Sequence, residues 1–150
     1  MSRLILLALA ALMPVAAPAG AQTVGDINAS IEMVLGDRAA YVEAFEAIQA
    51  AVADDDAATV AAWVSYPINV TIDGEAHSIE GSETFVEQYD GIVTEEIKSA
   101  VVEQKYEALF VNFKGIMFGD GQMWLSGVCR DDACAKWDVK IIAIQSTAPN

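Results

Sequence analysis

Two cysteines five residues apart and a lone histidine are the side chains in this sequence best suited to covalent or acid–base chemistry. Cys129 and Cys134 bracket the segment Cys129-Arg130-Asp131-Asp132-Ala133-Cys134. An even, closely spaced pair reads as a disulfide in an oxidising compartment. A metal site needs about four ligands, and here there are two thiols and one distant histidine, His77, so no metal is expected. A redox pair would more usually be C-x-x-C at a helix N-terminus. The expected bond is a staple across the end of a hairpin.

His77 is the only histidine and so the only unperturbed side chain that titrates near neutrality. Period-two alternation places it with Glu75 and Ile79 on one face of a hairpin strand. As a general base it would need a carboxylate partner, with Glu80 or Asp90 as candidates. The simpler expectation is an exposed hairpin histidine without a role. Asn112 interrupts the apolar stretch Leu109-Phe110-Val111-Asn112-Phe113, where it would either line a pocket or face solvent. Trp63, Trp124 and Trp137, with Tyr66, Tyr89 and Tyr106, would form a pocket wall or, more simply, core. The cluster of Trp63 with Tyr66-Pro67 joins a helix end to the first strand and is the one to follow. The ligand-binding candidates are therefore Trp63, Tyr66, His77, Tyr89, Asn112 and Trp124. No catalytic residue and no cofactor is assigned, because G-x-S-x-G, P-loop, H-E-x-x-H and Rossmann patterns are all missing.

Carboxylates are plentiful but read as structural. Asp54-Asp55-Asp56 lacks the alternating oxygen ligands and glycine of a calcium loop, and Asp56 reads as a helix N-cap. Asp73 and Asp120 belong to turns, Asp131 and Asp132 to the cysteine loop. The formal net charge of −14 repels phosphate backbones and anionic lipids, which argues against nucleic-acid and peripheral membrane partners. The sequons at Asn28 and Asn69 are read as chance.

The elements that must position these groups begin after residue 21. Residues 1–21 have a single positive charge, a short apolar run from Leu4 to Val15 and Ala19-Gly20-Ala21, the pattern of a secretory signal. The run is too short to span a bilayer, and no membrane anchor is expected. Residues 22–36 show no sustained period and read as a flexible lead-in, residues 37–146 as one domain, and 147–150 as a tail. Tyr41, Phe45, Ile48 and Val52 form one stripe of a helix over about 37–53 capped by Asp37. A second short helix follows over 57–64. Ile68 to Ile72 alternates, Asp73-Gly74 signals a hairpin, and Glu75 to Ile79 returns. Ser82 caps a further helix, and another begins near Thr94. Residues 106–118, 122–128 and 135–145 read as three long antiparallel strands, with Gly115 as a mid-strand bend. The class is α+β, with helices packed on a strongly bent sheet.

This order of elements resembles the nuclear-transport-factor-2-like superfamily, the cone-shaped roll also called cystatin-like. The runs DDDAATVAAWVSYPINV (54–70), TFVEQYDGIVTEEIKSAV (84–101), FVNFKGIMFGDGQMWL (110–125) and residues 140–145 resemble small exported bacterial proteins of that type, many of unassigned activity, across roughly 38–146. It implies a conical pocket between sheet and long helix, used by different members for catalysis, ligand binding, dimerisation or protein docking. No catalytic residue matches a family motif, and fold alone licenses no function. The expectation is an exported, periplasmic or secreted, non-catalytic domain binding a small apolar or polar ligand or a protein partner. The alternative is a small isomerase, dehydratase or hydrolase using a pocket carboxylate with His77 or a tyrosine. A homodimer paired through its sheet is the third reading.

Overall fold

The first helix, α1 (Val24–Val34), stands where the periodicity implies a loose lead-in. In the computed structural model, which describes residues 21–147, Thr23 and Asp26 form a capping box. The Thr23 N–H donates to Asp26 Oδ2 at 2.8 Å, and the Asp26 N–H donates to Thr23 Oγ1 at 3.2 Å. The pattern conceals the helix because its buried residues are only Ile27 and Ile31, while Val24, Met33 and Val34 face solvent. Packing supplies the missing support: Tyr106 Oη donates to Asn28 Oδ1 at 2.8 Å. The leader-like segment and residues 148–150 of the expected tail lie outside the described residues.

The long helix α2 (Arg38–Ala53) follows its pattern. Asp37 caps it by accepting from the Ala40 N–H, and Tyr41, Phe45, Ile48 and Val52 are buried, with Ala44 and Ala51 between them. Asp56 caps α3 (Ala57–Trp63), accepting from the Thr59 N–H at 3.0 Å. A two-stranded hairpin comes next, β1 (Ile68–Ile72) with β2 (Glu75–Ile79). Asp73 and Gly74 both have positive φ, 51° and 81°, as the tight hairpin turn of mirror-image hand requires.

Helices α4 (Ser82–Glu87), α5 (Tyr89–Ile92) and α6 (Glu95–Val102) then cross the domain. The N-cap of α4 is Gly81, with no side-chain cap, so Ser82 is its first helical residue rather than its cap. Gln49 of α2 closes the end of α6, its amide donating to the carbonyls of Val101, Val102 and Gln104.

The second sheet is a four-stranded antiparallel meander: β3 (Phe110–Asn112), β4 (Gly115–Phe118), β5 (Met123–Cys129) and β6 (Trp137–Ile144). Residues 106–118 are therefore not one strand. Tyr106–Ala108 is a 3-10 turn, and Phe113-Lys114 reverses the chain with Asn112 paired to Gly115. Asn112 Oδ1 accepts from the Lys114 N–H at 2.8 Å, a local side-chain bond that competes with extended structure. Gly115 has φ +133°, and a Cβ there would stand 1.8 Å from the Leu125 carbonyl oxygen. The irregularity lies elsewhere: Trp124 pairs with Ala143 and Leu125 with Ile141, leaving Ile142 as an extra residue on β6. Such a bulge bends its strand.

One parallel bridge, Val64 to Ile141, ties the chain leaving α3 to β6, and the Ser65 N–H donates to the Ile141 carbonyl at 2.9 Å. Between α2 and the sheet, Phe45 stacks on Phe118 with centroids 5.1 Å apart, and Tyr106 meets Phe45 edge-on at 5.4 Å. Aromatic side chains thus fill part of the space between α2 and the sheet.

Candidate functional site

A cleft of about 610 Å³ opens where α2, α3, β6 and the disulfide loop meet. Three-residue spacing puts Asp37, Ala40 and Glu43 of α2 on its wall, since residues three apart share a helix face. Trp63 at the end of α3 and Trp137 at the start of β6 supply its flat apolar surfaces. Trp137 is seated over a glycine: a Cβ on Gly127 would lie 3.1 Å from its ring. The Tyr41 ring lies 6.3 Å from the Trp137 ring.

The rim is the stapled loop. Cys129 and Cys134 are disulfide-bonded with Cα atoms 4.8 Å apart, so the expected staple is present. Asp131 does more there than meet solvent. Its carboxylate accepts from the Ala135 N–H at 2.9 Å and the Lys136 N–H at 3.1 Å. Its carbonyl accepts from the Cys134 N–H at 3.0 Å, and the Arg130 N–H donates to the Lys136 carbonyl at 2.7 Å. The backbone that presents Arg130 and Lys136 is therefore fixed on both sides.

Charge is distributed unlike the rest of the molecule. Of eight basic residues in the chain, Arg130, Lys136 and Lys140 line this one cleft. Arg130 forks onto Asp138 through Nε and Nη2. That contact holds the Asp138 carboxyl below the usual carboxylate range and raises the guanidinium further. Lys140 Nζ donates to the Ala62 carbonyl at 2.8 Å, satisfying an acceptor in the last turn of α3, and Asp37 is used as a cap. Glu43 and Lys136 remain, exposed and with no side-chain partner among the described residues.

Of the six side chains singled out from the sequence, Trp63 alone lines this cleft. His77 lies in a second hollow of about 430 Å³ with Asp73, Glu75, Glu87 and Asp90. It is exposed, and its imidazole makes no hydrogen bond or ion pair among the described residues. Of its two candidate partners Asp90 lines the same hollow, whereas Glu80 accepts from Ser78 Oγ at 2.7 Å. Tyr66 Oη donates to the Ala61 carbonyl at 3.0 Å, and burial pushes its phenol up to about 12. Tyr89 is buried and its hydroxyl has no hydrogen-bond partner among the described residues. Burial first, then the charges of Asp55, Asp90 and Asp56, push it up to about 12. Asn112 belongs to the Phe113-Lys114 turn. Trp124 meets Phe110 edge-on at 6.3 Å, in a row that cross-strand pairing extends through Met117.

Spacing singles out neither Glu43 nor Lys136, since exposed charges on an acidic protein carry no local signature. The available clue is Lys136 two residues past a staple, where a charge is held rather than free to roam. Among the described residues, no group of three or more His, Cys, Asp or Glu side chains is placed to hold a metal ion. No helix among them is long and apolar enough to cross a membrane. Comparisons with protein-family models, with curated proteins and with solved structures found no match.

Proposed function

We propose that this chain is an exported binding domain whose ligand enters the cleft between Trp63 and Trp137. The observation that carries the reading is the cleft itself: two indole walls, a rim fixed by a disulfide, and two charges left without partners. Ligand sites combine apolar walls with a few placed polar groups in clefts of roughly 300–1,000 Å³. A binding role is favoured over catalysis by the dispersal of the reactive side chains. His77 and Asp90 line one hollow without a hydrogen bond between them among the described residues, and Asn112 lies in the turn between β3 and β4, whereas acid–base catalysis requires convergent groups within hydrogen-bond reach. Export is supported by the bonded cysteines, which suit an oxidising compartment, and by the leader-like first 21 residues. Membership of the nuclear-transport-factor-2-like superfamily is proposed on the order of elements and on the sequence runs that resemble it.

The test is a thermal-shift screen of small molecules against the protein and its Trp63→Ala variant. Compounds that raise the melting temperature of the parent but not of the variant support the cleft as the site. Compounds that stabilise both proteins equally, or that are chemically converted, overturn it.

A second reading, a homodimer joined through the sheet, is favoured by the row Phe110–Met117–Trp124, in which Phe110 is 51 % exposed. Sedimentation of the parent and of Phe110→Ser distinguishes it: a dimer that the substitution dissociates supports it, and a monomeric parent rejects it.

A further inference from the structure

We infer that the cleft takes a zwitterion with a flat apolar body, the chemistry of an aromatic amino acid or short peptide with free termini. This inference rests on the reading of the cleft as a binding site and names the ligand class for it.

Six charged side chains line the cleft, three of each sign, in a protein whose net charge is −14. Four of the six are committed. Arg130 and Asp138 neutralise each other, Asp37 caps α2, and Lys140 is held on the Ala62 carbonyl. What is left for a ligand is one carboxylate, Glu43, and one ammonium, Lys136. A purely anionic ligand would meet Lys136 but be repelled by Glu43, and a purely cationic one would meet the reverse. A molecule carrying both charges satisfies both residues and leaves neither of its own charges unmatched.

The two tryptophans specify the remainder of the ligand. Indole faces stack on planar rings and attract cations placed over them, so the apolar body and the ammonium end both find surfaces here. Trp137 is not free to fold over the opening, because it rests on Gly127 and beside Tyr41. Lys136 is presented from backbone that the Asp131 carboxylate and the disulfide hold in place. The site is thus largely formed before the ligand arrives, which lowers the ordering cost of binding.

The probes are L-phenylalanine and L-alanyl-L-phenylalanine, each with its N-acetylated form, which is only anionic, and its C-terminal amide, which is only cationic. Calorimetric titration of the intact protein is expected to show at least one zwitterion binding about fivefold tighter than either of its singly charged forms, the scale of one exposed ion pair. Lys136→Gln should remove the advantage over the amide, and Glu43→Gln the advantage over the N-acetyl form. Both residues are exposed, so neither variant threatens folding. A zwitterion that binds no better than its blocked forms, or not at all, overturns the inference. If blocked forms bind as tightly as the zwitterion, or the neutral disaccharide cellobiose binds while no zwitterion does, in a Trp63-dependent way, the cleft stands as a site and its zwitterion specificity falls. If no compound depends on Trp63, both fall.

Discussion

Tyr41 Oη on α2 accepts the Gly127 N–H of β5 at 2.9 Å. Strand β4 pairs with β5 only through Met123, Trp124 and Leu125, so beyond Leu125 the β5 edge facing β4 has no strand partner. The phenol of a core helix residue takes the place of the absent strand and keeps the edge satisfied. Trp137 packs over the same glycine, which places the wall of the cleft and the anchor of α2 at one point of the sheet.

Tyr41→Phe should therefore cost about 0.5–1.5 kcal/mol, the net worth of one hydrogen bond, since Gly127 itself is exposed. Urea denaturation of the variant measures it. A loss below a few tenths of a kcal/mol would show that water already serves the Gly127 amide.

Gly115→Ala should be severe, on the order of 3 kcal/mol or more, because backbone rather than a movable side chain stands 1.8 Å from the new Cβ at a φ of +133°. Gly81→Ala is the control, with nothing within 4 Å, and should cost no more than about 1 kcal/mol, the scale of an alanine at a helix N-cap. Equal melting temperatures for the two variants would contradict the close approach of β4 and β5.

Opening the staple with Cys129→Ser and Cys134→Ser together should lower stability by about 2 kcal/mol if loop entropy dominates. It should also weaken binding in the cleft, since Lys136 loses one of its two restraints. Asp131→Asn, which leaves the sulfurs joined, separates the contributions. If the double variant binds as well as the parent, the rim does not need the bond.

Alkaline pH offers a separate check on the core. Tyr66 and Tyr89 are pushed from an ordinary 10.0 up to about 12, so the folded state holds their protons more tightly than the unfolded chain. That contribution is complete below pH about 10 and is lost as pH rises through about 12. Tyr89→Phe should shrink the loss between those limits. At neutral pH the same variant should be no less stable than the parent, because the hydroxyl it removes is buried without a partner. A destabilisation above about 1 kcal/mol at pH 7 would mean that the hydroxyl has a partner after all.

Much of the fold is legible because its signals are local. The α2 stripe, the Asp56 cap and the Asp73-Gly74 turn each lie within a few residues of chain, and each appears where the pattern puts it. The disulfide is equally local, its cysteines five residues apart. Helix α1 is not legible, since two isoleucines in three turns make no period and its support comes from Tyr106. The turn between β3 and β4 is masked by the apolar bulk of Phe113, which conceals an Asn112–Gly115 turn pattern, and Phe113 proves 80 % exposed.

The amino-acid order by itself thus determined the class, the hairpin, the long helix and the staple, because periodicity, capping and turn chemistry act between near neighbours. It did not determine the cleft. Glu43, Trp63, Lys136 and Trp137 meet only when α2 and α3 pack on β6, and Glu43 and Lys136 stay unpaired only because Arg130, Asp138, Asp37 and Lys140 find other partners. Which charges cancel is a matter of distance in three dimensions, and sequence separation carries no record of it.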